Sequence, residues 1–223
     1  MESLVAATAM FLGLHWIISG SPLRAPVVNA LGPKPFQALF STLVAVSLIW
    51  MGYAYAHAPY IPTWGPVPAL KPFAWVCTFV AFVGFAGSLT AKNPTTLGQG
   101  SPDQIEPAGL VRITRHAGVL SLGLWGLGHF LVRGDWASHL LFGSFAFQGL
   151  IGPLNMDRKY HARHGAAWEV FTAKTSYIPF VAILQGRNRL VLSELSWVGM
   201  GAGAAAFVLV LVFHQRWFGA SPY

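Results

Sequence analysis

The side chains of this chain with the most chemical scope are its eight histidines. His15 falls deep in the first apolar stretch, His129 in the outer part of the fourth, and His139 near the start of the fifth. His116 sits at the inner edge of the fourth stretch, His57 and His214 near stretch ends, and His161 and His164 in a polar segment. An ionisable group inside a membrane needs its desolvation offset, so such positions mark candidate functional sites. Two readings are open for them. One is a neutral imidazole hydrogen-bonded to a neighbouring helix; the other is ligation of a metal such as haem iron, which histidines often hold between helices.

Spacing adds to the second reading. His15 and Ser19 are four apart and share a helix face, where Ser19 helps orient the ring. Gly123, Gly126 and His129 follow at intervals of three, which either admits a neighbouring helix closely or leaves room for a flat ligand. Arg112, Arg115 and His116 fall at i, i+3 and i+4 and form one cationic face on a helix. With Arg24, Lys159 and Arg163 this face suits haem propionates, a nucleotide-like cofactor or a phospholipid headgroup, unless it only anchors the chain at the membrane. No acidic residue lies within an apolar stretch, which removes carboxylate dyads and most ion-coupled transport. The single cysteine, Cys77, excludes a disulfide framework and a Cys-based zinc site.

The elements that carry these residues follow from composition. Of 223 residues only 9% are charged and 54% are apolar, with a mean hydropathy of +0.53. A soluble domain carries about 25% charged residues, and disorder needs low hydrophobicity, so both classes are excluded. A spanning helix takes about 20 apolar residues. Six stretches meet or approach this, at about 4–23, 36–58, 73–91, 112–132, 136–156 and 195–215. The expected fold is therefore all-α, one integral membrane bundle of about six transmembrane helices over residues 1–223. The first stretch is preceded by Glu2 and followed by no small-residue cleavage site, so it reads as a retained helix and not a secretory signal.

The basic residues orient the bundle. On the side of the N-terminus lie Lys71, Arg133 and Arg216, and the other eleven lie opposite. The positive-inside rule makes that opposite side cytoplasmic and places both termini outside. The polar segment 157–175 then reads as an amphipathic cytoplasmic helix between the fifth and sixth spans, and the apolar patch 177–184 as interfacial. The net charge of +7 becomes a statement about topology, and nucleic acid drops out as a partner.

Several motifs together resemble one family. They are His15-x-x-x-Ser19-x-x-x-Leu23-Arg24, Lys92-Asn93-Pro94, Leu97-Gly98-Gln99, Gly109 to His116, Trp125-x-x-x-His129, Asp157-Arg158-Lys159 and Thr175 to Phe180. In order and spacing they are similar to the NnrU family of bacterial membrane proteins, to which the plant 15-cis-zeta-carotene isomerases also belong. Ala117 stands where the pattern has proline, which lets a helix run on through His116.

The resemblance implies haem b held by His15 and His129, with His116 as the substitute, and a reduced haem promoting rotation about a carotenoid double bond. Gly126 replaces a cysteine of that isomerase branch. For the bacterial branch it implies a role in denitrification and nitrogen-oxide metabolism at the bacterial inner membrane. The expected function is a haem-b membrane protein of that process. The alternative is a haem-dependent cis-trans isomerase of a carotenoid or other lipophilic polyene, and a non-enzymatic assembly or sensory factor is a further one. A fainter likeness, from the Arg115-His116 element to Ile178-Pro179-Phe180, is to membrane methyltransferases, whose paired glutamates are replaced here by Met156-Asp157.

Overall fold

Prolines and glycines divide the apolar stretches into helices. The computed structural model describes residues 1–95 and 101–222, so Leu97-Gly98-Gln99 lies outside the described residues; among the described residues there is no strand. Helix α1 (Glu2–Gly13) continues as a π-helical stretch, Leu14–Ile18, and is followed by α2 (Arg24–Leu31). Gly32, at φ +84°, and Pro33 then start α3 (Pro33–Ala56). A short turn at Pro68–Leu70 leads into α4 (Lys71–Ser88). The remaining helices are α5 (Leu110–Ile113), α6 (Ala117–Arg133), α7 (Trp136–Leu150), α8 (Gly152–His164), α9 (Ala166–Lys174), α10 (Val181–Leu184) and α11 (Trp197–Phe218).

By length and composition, Pro33–Ala56, Pro68–Ser88 and Trp197–Phe218 can each cross a membrane, and Glu2–Ile18 and Ala117–Arg133 are shorter apolar helices. Their outward faces carry exposed Ile49, Val76, Val198 and Val212, surface that water would not cover favourably.

Three expected spans differ in the structure. The fourth, expected at 112–132 and running through His116, is two helices. Thr114 is extended because its hydroxyl donates to the Tyr177 carbonyl at 2.6 Å and the Arg115 N–H donates to Ser176 at 3.1 Å. The expected 136–156 helix stops at Leu150, since Pro153 has no N–H to continue the ladder and starts α8 instead. The first leaves α-geometry at Leu14 and ends before Ser19, short of the expected residue 23. The amphipathic segment is two helices, α8 and α9, joined at Gly165, whose φ is +50°.

Helix α6 packs between α7 and α4, α11 lies on α4, and α1 lies on α3 and α7. Small clusters hold α1 down: Leu4 with Ala54 and Ala137, and Ala7 and Phe11 with Met51. The α6–α7 contact is backbone on backbone. A Cβ added at Gly149 would lie 2.2 Å from the Gly123 nitrogen, and one at Gly126 would lie 2.6 Å from the Ala146 nitrogen. Gly149→Ala is therefore expected to destabilise the fold by about 1–3 kcal/mol, as overpacking does. Thermal unfolding in detergent reads the effect, with Gly52→Ala, which meets nothing within 4 Å, as the neutral control.

Candidate functional site

The inner junction of the bundle is built on the carboxylate of Asp157, on α8. Arg115 donates to it through Nε at 2.9 Å and through Nη2, and His116 Nε2 lies 2.7 Å from Oδ1. Burial alone would raise the Asp157 carboxyl, but the bonds from Arg115 and His116 outweigh it and hold the group below the usual carboxylate range. The Arg115 carbonyl accepts from Asn93 Nδ2 at 2.8 Å and from Thr95 Oγ1 at 3.0 Å. The Tyr177 hydroxyl donates to the Leu150 carbonyl. Residues from three of the motifs, Asn93, Arg115 with His116, and Ser176 with Tyr177, thus meet at one place, 20 residues or more apart in sequence.

The expected cationic face is not one face. Because the chain is extended at Thr114, Arg112 and Arg115 leave in different directions. Arg112 binds Glu194 through Nε at 2.6 Å and Nη2 at 2.9 Å, and that pairing, with the Gly109 N–H, holds the Glu194 carboxyl at about 2. A space of about 260 Å³ opens beside this pair, lined by Lys92, Glu106 and Leu110 and away from His15 and His129. Arg24 opens α2 with its guanidinium 5.2 Å from the centre of the Phe36 ring. Ser19 does not orient His15; its hydroxyl accepts from Lys159 Nζ at 3.2 Å.

The π-helical stretch carries His15. Such bulges recur at functional sites because they re-aim side chains. The His15 Nδ1–H donates to the Phe11 carbonyl at 2.7 Å, and the ring touches Phe11 and Phe40. His129 is arranged likewise: Nδ1–H donates to the Trp125 carbonyl at 2.9 Å and the ring stacks on Phe142 at 4.7 Å. Among the described residues the two rings do not touch, and they are linked through Phe11, Phe145 and Trp125. The imidazole that His129 does meet is His214 on α11, with ring centres 6.5 Å apart and planes at 23°. His116, thirteen residues before His129, is about 20 Å away along the helix axis.

His214 is the residue that spacing did not connect to the site. It lies 85 positions after His129, and no local pattern links them. The Asp157 contacts, 41 and 42 positions apart, are non-local as well, although its motif was visible. The glycines beside His129 are occupied: Gly123 and Gly126 receive the α7 backbone and Gly128 meets Ala74 of α4, so they admit helices and leave no slot for a flat ligand.

Two neutral imidazoles are a donor set that could hold an iron. A backbone bond at Nδ1 fixes the tautomer and leaves Nε2 of His15 and of His129 without a hydrogen bond among the described residues. His129 and His214 also line a cavity of about 100 Å³ with Trp75, Thr78 and Phe207. That is below the ~300–1,000 Å³ of pockets that enclose a ligand, so a macrocycle at His129 would be only partly enclosed by the chain.

A family model described as NnrU protein matches residues 3–222. The chain is 37% identical over 189 residues to a chloroplastic 15-cis-zeta-carotene isomerase of Zea mays, covering 82% of this chain and 50% of that protein. It is 28% identical over 192 residues to the Arabidopsis thaliana protein of the same name, covering 83% and 52%. The chain spans about half the length of the curated relatives it matches. No solved structure matches.

Proposed function

The chain belongs to the NnrU protein family, and from that premise we propose that it is a membrane cis-trans isomerase of a polyene lipid, of the 15-cis-zeta-carotene type, using haem b. The observation that carries the reading is His129, an imidazole with Nδ1 tied to backbone and Nε2 free, beside a cavity lined mainly by apolar and aromatic side chains, with Lys71 and Arg133 also in its wall. Extended similarity to the isomerases, over more than four fifths of this chain, supports it over the alternatives.

Six crossings are proposed, by α1 with its π stretch, α3, α4, α6, α7 and α11, with both termini outside and α8 and α9 on the basic cytoplasmic side. In a bacterial cell this is the inner membrane. Of the six, α3, α4 and α11 have the length and apolarity for it, and α1 and α6 the apolarity.

Haem b, when bound, supplies a reducible iron that favours rotation about a polyene double bond. His129 and His15 would hold it as the ligand pair, with His116, whose Nε2 is engaged by Asp157, as the substitute. Phe11, Phe142 and Phe145 surround these rings and exclude water. The apolar part of the wall, Trp75, Val132, Phe207, Val210 and Leu211, would bind the polyene by buried area, which suits a substrate without polar groups.

The test is conversion of 15-cis-zeta-carotene in a host that accumulates it. Wild type is expected to deplete the cis isomer and His129→Ala to leave it. A protein that binds haem yet leaves the isomer untouched would refute the isomerase reading. A second reading is a haem-b protein of nitrogen-oxide metabolism in denitrification, and nitric oxide binding to the ferrous protein without polyene turnover would select it. Nothing in the arrangement around Asp157 favours a methyltransferase, since Arg115 and His116 occupy that carboxylate.

A further inference from the structure

Seven carboxylates serve fourteen lysines and arginines in this chain, and each of the seven can be located. Asp157 is taken by Arg115 and His116, Glu194 by Arg112, Glu106 by Lys174, Glu169 by His161, and Asp135 by Ser138 and Arg133. Asp103 is exposed and bonded to Ser101. Glu2 lies in the first turn of α1, about 25 Å of helix from Ser19. Among the described residues none of the seven is paired with Arg24, Lys159 or Arg163.

Those three cations converge. Lys159 Nζ donates to Ser19 Oγ, Arg24 begins α2 just beyond, and Arg163 follows Lys159 by one turn on α8, near enough to act on both. Arg158 adds to the field but is engaged, donating to the Gly20 carbonyl at 3.0 Å and Asn155 at 2.7 Å. Burial, and then the guanidiniums of Arg24, Arg163 and Arg158, push the half-buried Lys159 ammonium down to about 8. A half-buried ammonium among like charges is unfavourable until a counter-ion joins it. Exposed Ile17 and Leu23 flank the cluster in sequence, so the counter-ion's carrier meets apolar surface as well.

We infer that Ser19, Arg24, Lys159 and Arg163 form a seat for an oxyanion, the phosphate or carboxylate of an amphiphilic molecule in the membrane. The seat does not depend on the haem reading. A phospholipid headgroup supplies the oxyanion in one case; in the other, the carboxylates of a tetrapyrrole at His15, four residues before Ser19, supply it.

The experiment uses the full chain, stripped of lipid in a neutral detergent and followed by native mass spectrometry. Phosphatidylglycerol and phosphatidylcholine are offered at matched concentration, and haemin beside its dimethyl ester in parallel. Preference for phosphatidylglycerol identifies the headgroup, and preference for haemin over the ester identifies the carboxylates. Either preference is expected to fall about tenfold in Lys159→Gln, the loss of one charge-assisted bond, and to persist in Lys34→Gln, an exposed cation of α3. Arg163→Gln, at an exposed position, gives the same answer should Lys159→Gln fail to fold. Equal binding within both pairs overturns the inference. So does an equal loss in Lys34→Gln, which would reduce the effect to general surface charge.

Discussion

His129→Ala is expected to remove the haem b signal from the reduced-minus-oxidised spectrum of the purified protein, with occupancy falling more than tenfold. The ring is clasped on three sides, by Trp125, Phe142 and the backbone bond at Nδ1, and the imidazole it meets, His214, is itself bonded to the Ala220 carbonyl. Groups that only orient a metal's ligand change metal affinity about 10–100-fold, and loss of the ligand itself exceeds that. His15→Ala is expected to reduce occupancy as well. His214→Ala is the discriminating variant, because its ring is the one that His129 meets. A spectrum unchanged in His214→Ala and lost in His15→Ala supports the proposed pair, whereas the reverse transfers the second ligand to α11. A wild-type spectrum from His129→Ala would end the ligand assignment.

Asp157→Ala is expected to cost about 3 kcal/mol of stability or more. The Arg115 side chain is 10% exposed and that of His116 fully enclosed, so removing their shared carboxylate strands two buried groups. Breaking a buried pair from one side costs about 3–5 kcal/mol, far more than the pair contributes relative to a well-packed apolar replacement. The acid limb follows with its sign. The folded carboxyl lies below its unfolded value, so its contribution is complete above about pH 4 and is lost as pH falls through the depressed folded value. Tryptophan fluorescence on heating, recorded in detergent from pH 7 downward, checks both. A variant as stable as wild type would show that the inner junction is held by its backbone bonds alone.

Apolar runs made the helices of this bundle legible, and the reason is local. Residues 36–58 and 195–215 correspond to α3 and α11 because nothing in either stretch competes with the helix ladder. The start of α6 was not legible, since the conformation of Thr114 is decided by Ser176 and Tyr177 some sixty residues later. The grouping of Arg112, Arg115 and His116 assumed an unbroken helix and failed with it. Gly123 and Gly126 carried two readings until the position of α7 chose between them. The Lys159 cluster was visible as charge, but only the positions and pairings of the carboxylates single out which of its members lack one.

The inner junction also sets an order of assembly. Asn93, Arg115, Asp157 and Tyr177 are drawn from a span of 85 residues, and the last of them follows both α6 and α7 in the chain. During synthesis α6 and α7 close on one another early, through contacts of short sequence separation. The N–H and carbonyl groups around Arg115 stay open until Ser176 and Tyr177 arrive. Helix α11 docks after that, against α4, a helix completed more than a hundred residues before it. The His129 cavity, which needs Phe207 and His214 for its wall, is therefore completed after the inner junction, and any cofactor that occupies it enters a bundle already locked at its other end.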